Sequence, residues 1–127
     1  MRRADRATFG LEIVIARREP KLFVGNPDPV REFTDVRDVV RAYIMLLSRP
    51  RKFPVYDVCS GRPVAVRDLL STLRRSADRP IEIVPDPDRM RANEISMIVG
   101  DPGRLREEVG WQPAIPLRQT LDDLLSH

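Results

Sequence analysis

The chain has 127 residues, 42% apolar and 32% charged, with a formal net charge of +3, which describes one soluble domain with a modest core and no need of covalent staples. A single cysteine, Cys59, excludes an intrachain disulfide and a thiolate metal cage; a single histidine, the terminal His127, excludes a Ser/His/Asp triad and a HExxH zinc site. All but Lys21 and Lys52 of the 22 bases are arginine, interspersed with 19 acids, and aromatics are 6%, so neither a basic stacking face for nucleic acid nor an apolar run long enough for a membrane is present.

Residues 7–17 carry Phe9, Ile13 and Ala16 at helical spacing and predict a short helix, opposed by Gly10 and a β-branched run. Pro20 stops it, and 21–24 reads as a strand running into the turn Gly25, Asn26, Pro27, Asp28, Pro29. Asp35 is placed to cap a helix reaching about Ser48, with Asp38 in the first turn at the positive end of the helix dipole. The second half of that helix, AYIMLL, is apolar nearly all round. A helix on one small core needs a stripe only about 100° wide, so this one requires cover on more than one side. The β-branched and aromatic residues of 54–59 predict a strand closed by Ser60 and Gly61, and 66–75 is an amphipathic helix through Val66, Leu69, Leu70 and Leu73. A short strand at 81–84, a turn or single helical turn at 86–91 and an extended apolar segment at 95–99 follow. Asp101, Pro102 and Gly110 read as N-cap, first position and C-terminal stop of a small helix. The last helix, 117–125, has Leu117, Leu121, Leu124 and Leu125 on one side. The expected fold is α/β, a mixed α+β lobe of about five helices and three or four short strands.

The chain has no GxGxxG or GxxGxxG, no GKS or GKT phosphate loop, and no lysine four residues after Tyr43 or Tyr56. The carboxylate pairs Asp35/Asp38, Glu107/Glu108 and Asp122/Asp123 stand at helix starts or flanks, where capping and solvated faces explain them. Arginine suits another task, since its planar fork holds a diphosphate in two-pronged fashion. The lone cysteine and the lack of an apolar run after MRRADRATFG point to the cytoplasm.

Three stretches carry a family resemblance: VGNPDPVREFTDVRDVVRAY, VYDVCSGRPVAVRDLL and VPDPDRMRANEISMIVGDPGRLREEVGWQPAIPLRQTLDDLL. Over residues 9–125 the chain resembles the C-terminal half of extended short-chain dehydrogenase/reductases that process nucleotide sugars, and is most similar to the GDP-mannose 4,6-dehydratases. The resemblance implies a two-lobed lyase that converts GDP-mannose to GDP-4-keto-6-deoxymannose and water, by oxidation at C4, loss of water across C5 and C6, and return of the hydride to C6. The glycine-rich loop, the Thr/Glu pair and the Tyr-x-x-x-Lys group of that family have no counterpart here. The implied domain is therefore a single nucleotide-sugar-binding lobe over 1–127, without the N-terminal Rossmann lobe and its NADP, without cofactor, metal or catalytic residues, and inactive alone. Implied partners are GDP-mannose or a related nucleotide sugar, and either a separate Rossmann-lobe polypeptide or self-association through the helix at 42–47, which faces that lobe in the family. The alternatives are a lobe of a UDP- or dTDP-sugar epimerase, dehydratase or decarboxylase, and a truncated remnant or interaction module without enzymatic role.

The resemblance also implies site residues. Arg31 matches the arginine of the family's RDF or RDW motif, which contacts the substrate diphosphate; its ordinary alternative is a surface arginine paired with Glu32 or Asp35. Arg91 and Glu94 match the RPxE motif, a second diphosphate clamp and an acceptor for ribose or sugar hydroxyls, against a solvated pair three residues apart. Val24, Gly25 and Asn26 match a VGN turn near the purine, against a plain strand-ending turn. Glu32 stands in place of an aspartate, and Ala92 in place of the proline that would aim Arg91 and Glu94. Ala65 replaces a capping serine, a loss of about 1 kcal/mol. Cys59 is expected to be a buried small apolar residue.

Overall fold

A computed structural model describes residues 20–126. The helix expected over 7–17 lies outside them. In chain order the elements are β1 (Lys21–Val24), β2 (Val30–Arg31), α1 (Val36–Leu47), β3 (Val64–Ala65), α2 (Val66–Ser76), β4 (Glu82–Pro85), a 3-10 turn (Pro87–Arg89), α3 (Gly103–Val109) and α4 (Leu117–Leu125).

Two small sheets organise the chain. β1 and β4 are parallel, with Lys21 opposite Glu82 and Val24 opposite Pro85. Parallel neighbours need a crossover, and α2 enters β4 from that crossover. Its Leu70 packs on Leu22 of β1 and on Ile81, with Val24, Val66, Ala77 and Ile83 around them. β2 and β3 are antiparallel, Val30 opposite Ala65 and Arg31 opposite Val64. On its other side Val30 bridges Met97: its amide donates to Ser96 O at 2.8 Å, and the Ile98 amide donates to Val30 O at 3.0 Å. A second core gathers Ala42 of α1, Leu105 and Val109 of α3 and Trp111, flanked by Met45, Leu46, Tyr56 and Val58.

Helix ends follow local chemistry. Asp35 caps α1, its Oδ1 accepting from the Arg37 amide at 2.8 Å. α2 has no side-chain cap at Ala65. Instead its first amides, Val66 and Arg67, donate to the carbonyls of Pro29 and Pro27 at 3.0 and 2.9 Å. The expected capping loss is thereby offset by the preceding loop. α3 begins one residue later than the sequence predicts, with Pro102 at the cap, while Asp101 Oδ1 still accepts from the Gly103 amide at 2.8 Å. It stops at Gly110, left-handed with φ 68°, a conformation that favours glycine.

Two expectations fail. Residues 54–59 do not form a strand, because among the described residues no segment lies alongside to complete a ladder. The strand-like alternation survives, with Tyr56 and Val58 on the second core and Val55 and Asp57 exposed. The extended apolar segment expected at 95–99 lies along β2 at the Met97 bridge, with Ile95, Met97 and Ile98 exposed. Leu124 faces solvent, not the side that Leu121 buries.

Candidate functional site

Since β1 and β4 are parallel, both carboxyl ends open at the same edge, where sheets of this kind place ligands. β1 runs out into Gly25 and Asn26; β4 runs out into the 3-10 turn that precedes Arg91. The two exits are tied together, with the Asp86 amide donating to Val24 O at 2.8 Å. Asp86 then organises its own turn, accepting from the Asp88 amide at 3.0 Å and from Arg89 Nε at 3.0 Å.

Gly25 is required there by backbone approach alone. A Cβ on it would sit 2.6 Å from Arg89 O, closer than real Cβ contacts come. The Asn26 side chain serves its own turn, Oδ1 accepting from the Asp28 amide at 3.0 Å, and Asp28 in turn pairs with Arg67. Of the matched VGN residues, Gly25 and Asn26 thus have sufficient structural reasons for their identity.

Arg31 is placed differently from its ordinary surface alternative. Glu32 is not its partner: its two oxygens accept from the Gly61 and Gly100 amides at 2.7 and 3.1 Å, clamping two loops. Asp35 is not its partner either, being occupied by Arg37 and by Thr120 Oγ1 at 2.7 Å. The Arg31 guanidinium instead donates to Val30 O at 2.8 Å and to Ile95 O at 2.9 Å, and its Nη2 lies 3.9 Å from Glu94 Oε1. Both side chains keep about a quarter of their surface open, 26% and 22%. Arg91 is exposed and precedes Glu94 by three residues, a stretch that reaches at most about 11 Å. Its backbone therefore lies within that distance of the Glu94 backbone. A guanidinium has five N–H groups, and the two carbonyls satisfy only part of that set. The arrangement can hold an oxyanion and accept from a hydroxyl. It offers no proton-transfer pair: Tyr43 is exposed on α1, and the Tyr56 hydroxyl accepts from the Phe53 amide at 2.9 Å. Among the described residues, no cluster of His, Cys, Asp or Glu could hold a metal ion.

Cys59 is buried against Gly100, and burial, with the Glu32 and Asp57 carboxylates adding to it, pushes its thiol up to about 11. The thiolate is the reactive form. Alkylation by iodoacetamide at pH 8 is therefore expected to run on the order of 100-fold slower in the folded chain than in urea; equal rates would place the thiol in solvent.

The chain matches known proteins over nearly its whole length. The profile of the GDP-mannose 4,6 dehydratase family covers residues 7–124. GDP-6-deoxy-D-mannose reductase of Pseudomonas aeruginosa is 42% identical over 106 residues, which is 84% of this chain and 35% of the reductase. UDP-arabinose 4-epimerase 1 of Arabidopsis thaliana is 30% identical over 84 residues, 65% of this chain and 20% of the epimerase. The structure of RMD from Pseudomonas aeruginosa complexed with NADPH superposes with a TM-score of 0.82 at 36% identity, covering 98% of this chain and 43% of RMD. The chain thus spans about a third of the length of the curated reductase.

Proposed function

The chain belongs to the GDP-mannose 4,6-dehydratase family of extended short-chain dehydrogenase/reductases, and on that premise we propose that it is the part of such an enzyme that grips a GDP-hexose. The carrying observation is the meeting of Arg31 and Glu94, far apart in the chain, where the bridge of Met97 to Val30 brings 94–97 alongside β2. Arg31 donates its remaining N–H groups to the diphosphate in two-pronged fashion, while Val30 O and Ile95 O hold the fork in place. Glu94 orients that fork and accepts from sugar or ribose hydroxyls. Arg91 supplies a second cation to the same diphosphate, and the turn at Val24, Gly25 and Asn26 borders the base. The family profile names a dehydratase and the Pseudomonas aeruginosa relative a reductase; their substrates share a GDP-linked mannose skeleton, so the proposal concerns the ligand and not the step. The chain contains no dinucleotide-binding glycine motif, so the proposal assigns hydride transfer to another part of the enzyme. Incubated with GDP-mannose and NADP, the chain by itself is expected to show no turnover.

Calorimetric titration with GDP-mannose, UDP-glucose and dTDP-glucose tests the proposal. GDP-mannose is expected to bind tightest, and Arg31→Ala and Arg91→Ala each to weaken it by about 1.5 to 3 kcal/mol, the value of a charge-assisted hydrogen bond. Unchanged affinity in both variants would remove the site assignment. Preference for a pyrimidine nucleotide would select the epimerase-like reading, which the match to UDP-arabinose 4-epimerase 1 keeps as the second candidate.

A further inference from the structure

Glu32 follows Arg31 in the chain, yet its carboxylate is spent on backbone rather than on that guanidinium. Its Oε2 accepts from the Gly61 amide at 2.7 Å and its Oε1 from the Gly100 amide at 3.1 Å. The two glycines belong to separate loops that meet on this one side chain. A Cβ on Gly100 would sit 2.8 Å from Cys59 Sγ and 3.0 Å from Glu32 Oε1. On Gly61, whose φ is +66°, it would sit 3.0 Å from Pro102 Cδ and 3.6 Å from Gly100 O. Neither glycine has room for a side chain.

Gly61 leads into β3, and Gly100 closely follows the segment that bridges β2 at Met97. These are the two neighbours of β2, and both pairings are minimal. β2 and β3 share two residue pairs, and the segment around Met97 meets β2 through a single bridge. Contacts this short hold a register weakly by themselves. Since β3 runs antiparallel to β2 and the Met97 segment parallel to it, Gly61 and Gly100 both fall beside the end of β2 that carries Arg31. Glu32, one residue past that end, ties both neighbours to the middle strand. The Arg31 fork depends on the same alignment, because its anchor Ile95 O and its neighbour Glu94 lie on the bridged segment.

We propose that Glu32 is a positioning residue for the anion site: by pinning Gly61 and Gly100 it fixes β3 and 94–98 on either side of β2, and so sets the direction of the Arg31 guanidinium. It acts through Arg31 and not by contact with the nucleotide. The inference rests on the reading of Arg31 as a diphosphate ligand, and one arm of its test needs no nucleotide.

Glu32→Ala removes both acceptors; Glu32→Gln keeps the arm length and one acceptor oxygen but turns an N–H group towards one of the glycine amides. In the ligand-free chain, the NMR signals of the Arg31 guanidinium, assigned by their loss in Arg31→Ala, are expected to be resolved in the wild type and averaged by rotation in both variants. The Gly61 or Gly100 amide is expected to exchange about 10-fold faster or more. By calorimetry, Glu32→Ala is expected to weaken GDP-mannose binding about 10-fold, and Glu32→Gln less. Added to Arg31→Ala, Glu32→Ala is expected to cost no more than about a further 2-fold, since both changes remove the same interaction. Losses that multiply in the double variant overturn the proposal, because Glu32 then acts other than through Arg31. So do guanidinium signals still resolved in both variants, or an affinity unchanged while the glycine amides exchange faster. A wild-type chain that binds no GDP-mannose removes the ligand assignment, and the guanidinium signals then decide the positioning role alone. Should Glu32→Ala lack the circular dichroism of the folded chain, Glu32→Gln decides every reading, alone and combined with Arg31→Ala.

Discussion

Replacing Asp38 with alanine is expected to lower the stability of the chain by about 2 to 4 kcal/mol, chiefly the cost of leaving two backbone donors without their acceptor. Asp38 is 1% exposed in the first turn of α1. Its Oδ1 accepts from Arg41 Nη2 at 2.7 Å, and its Oδ2 from the Ala114 and Ile115 amides at 3.0 and 2.9 Å. Alanine leaves those two amides without an acceptor and releases α1 from the segment entering α4. The Asp38→Asn variant keeps one carbonyl acceptor but turns its amide donors towards other donors, so an intermediate loss is expected. Urea unfolding at pH 7 measures both; a loss below about 1 kcal/mol for alanine would mean the carboxylate is an ordinary helix-start acid.

The same network sets the acid response. Burial pushes the Asp38 carboxyl up, but the Ile115 amide, Arg41 and the Ala114 amide outweigh it and hold the group below its usual range. Arg37 hydrogen bonds, with Thr120 and the cap amide adding to them against burial, hold Asp35 well below that range. A carboxyl with a depressed folded pKa binds fewer protons when folded. Its contribution is complete above the unfolded value of about 4 and is lost as pH falls from there towards the folded value. The unfolding midpoint is therefore expected to fall steadily below about pH 5, less steeply in Asp38→Ala.

What the sequence made legible was what local chemistry decides. β1 and α4 occupy the predicted ranges, and Asp35 caps α1 as its position demands. β2 and β3 have two residues each, too short for any periodicity to register. The unpaired segment 55–58 shows the converse: β-branched and aromatic residues signal extended backbone, but a ladder depends on a neighbour that no local pattern reports. At Ala65 the missing cap was visible and the Pro27 and Pro29 carbonyls that replace it were not, since they arrive through the loop before β2.

The site divides along the same line. The family motifs singled out Arg31, Arg91 and Glu94, and charge spacing offered Glu32 or Asp35 as partners for Arg31. The structure sets Arg31 on Glu94 because the strand-like bridge at Met97 brings 94–97 alongside β2. Glu32, visible only as a departure from the motif, turns out to clamp Gly61 and Gly100. Asp38 looked like a helix-dipole acid; nothing near it in sequence announces the two amides on the far side of Trp111.

Trp111→Ala is the second substitution with a large expected cost, about 3 to 5 kcal/mol for emptying a fully buried aromatic site. Trp111 is 0% exposed and packs with Ala42, Leu105 and Val109. Its Nε1 donates to Asp38 O at 3.0 Å, and the Arg41 guanidinium lies 6.0 Å from the ring centroid. Trp111→Phe keeps most of the ring volume and loses the N–H, so a smaller loss is expected. Trp111 and Asp38 share α1 and Arg41, and the double alanine variant is therefore expected to cost less than the two single losses combined. Circular dichroism during urea unfolding follows all of these, since the only tryptophan of the chain is itself replaced. The sheet of β1 and β4, whose carboxyl edge borders the proposed ligand site, rests on the other core, Leu22, Leu70 and Ile81. Folded Trp111→Ala protein is therefore expected to bind GDP-mannose with unchanged affinity while α1, held to the lobe by this ring, loses its protection from hydrogen exchange. A parallel fall in affinity would show that the two cores act as one.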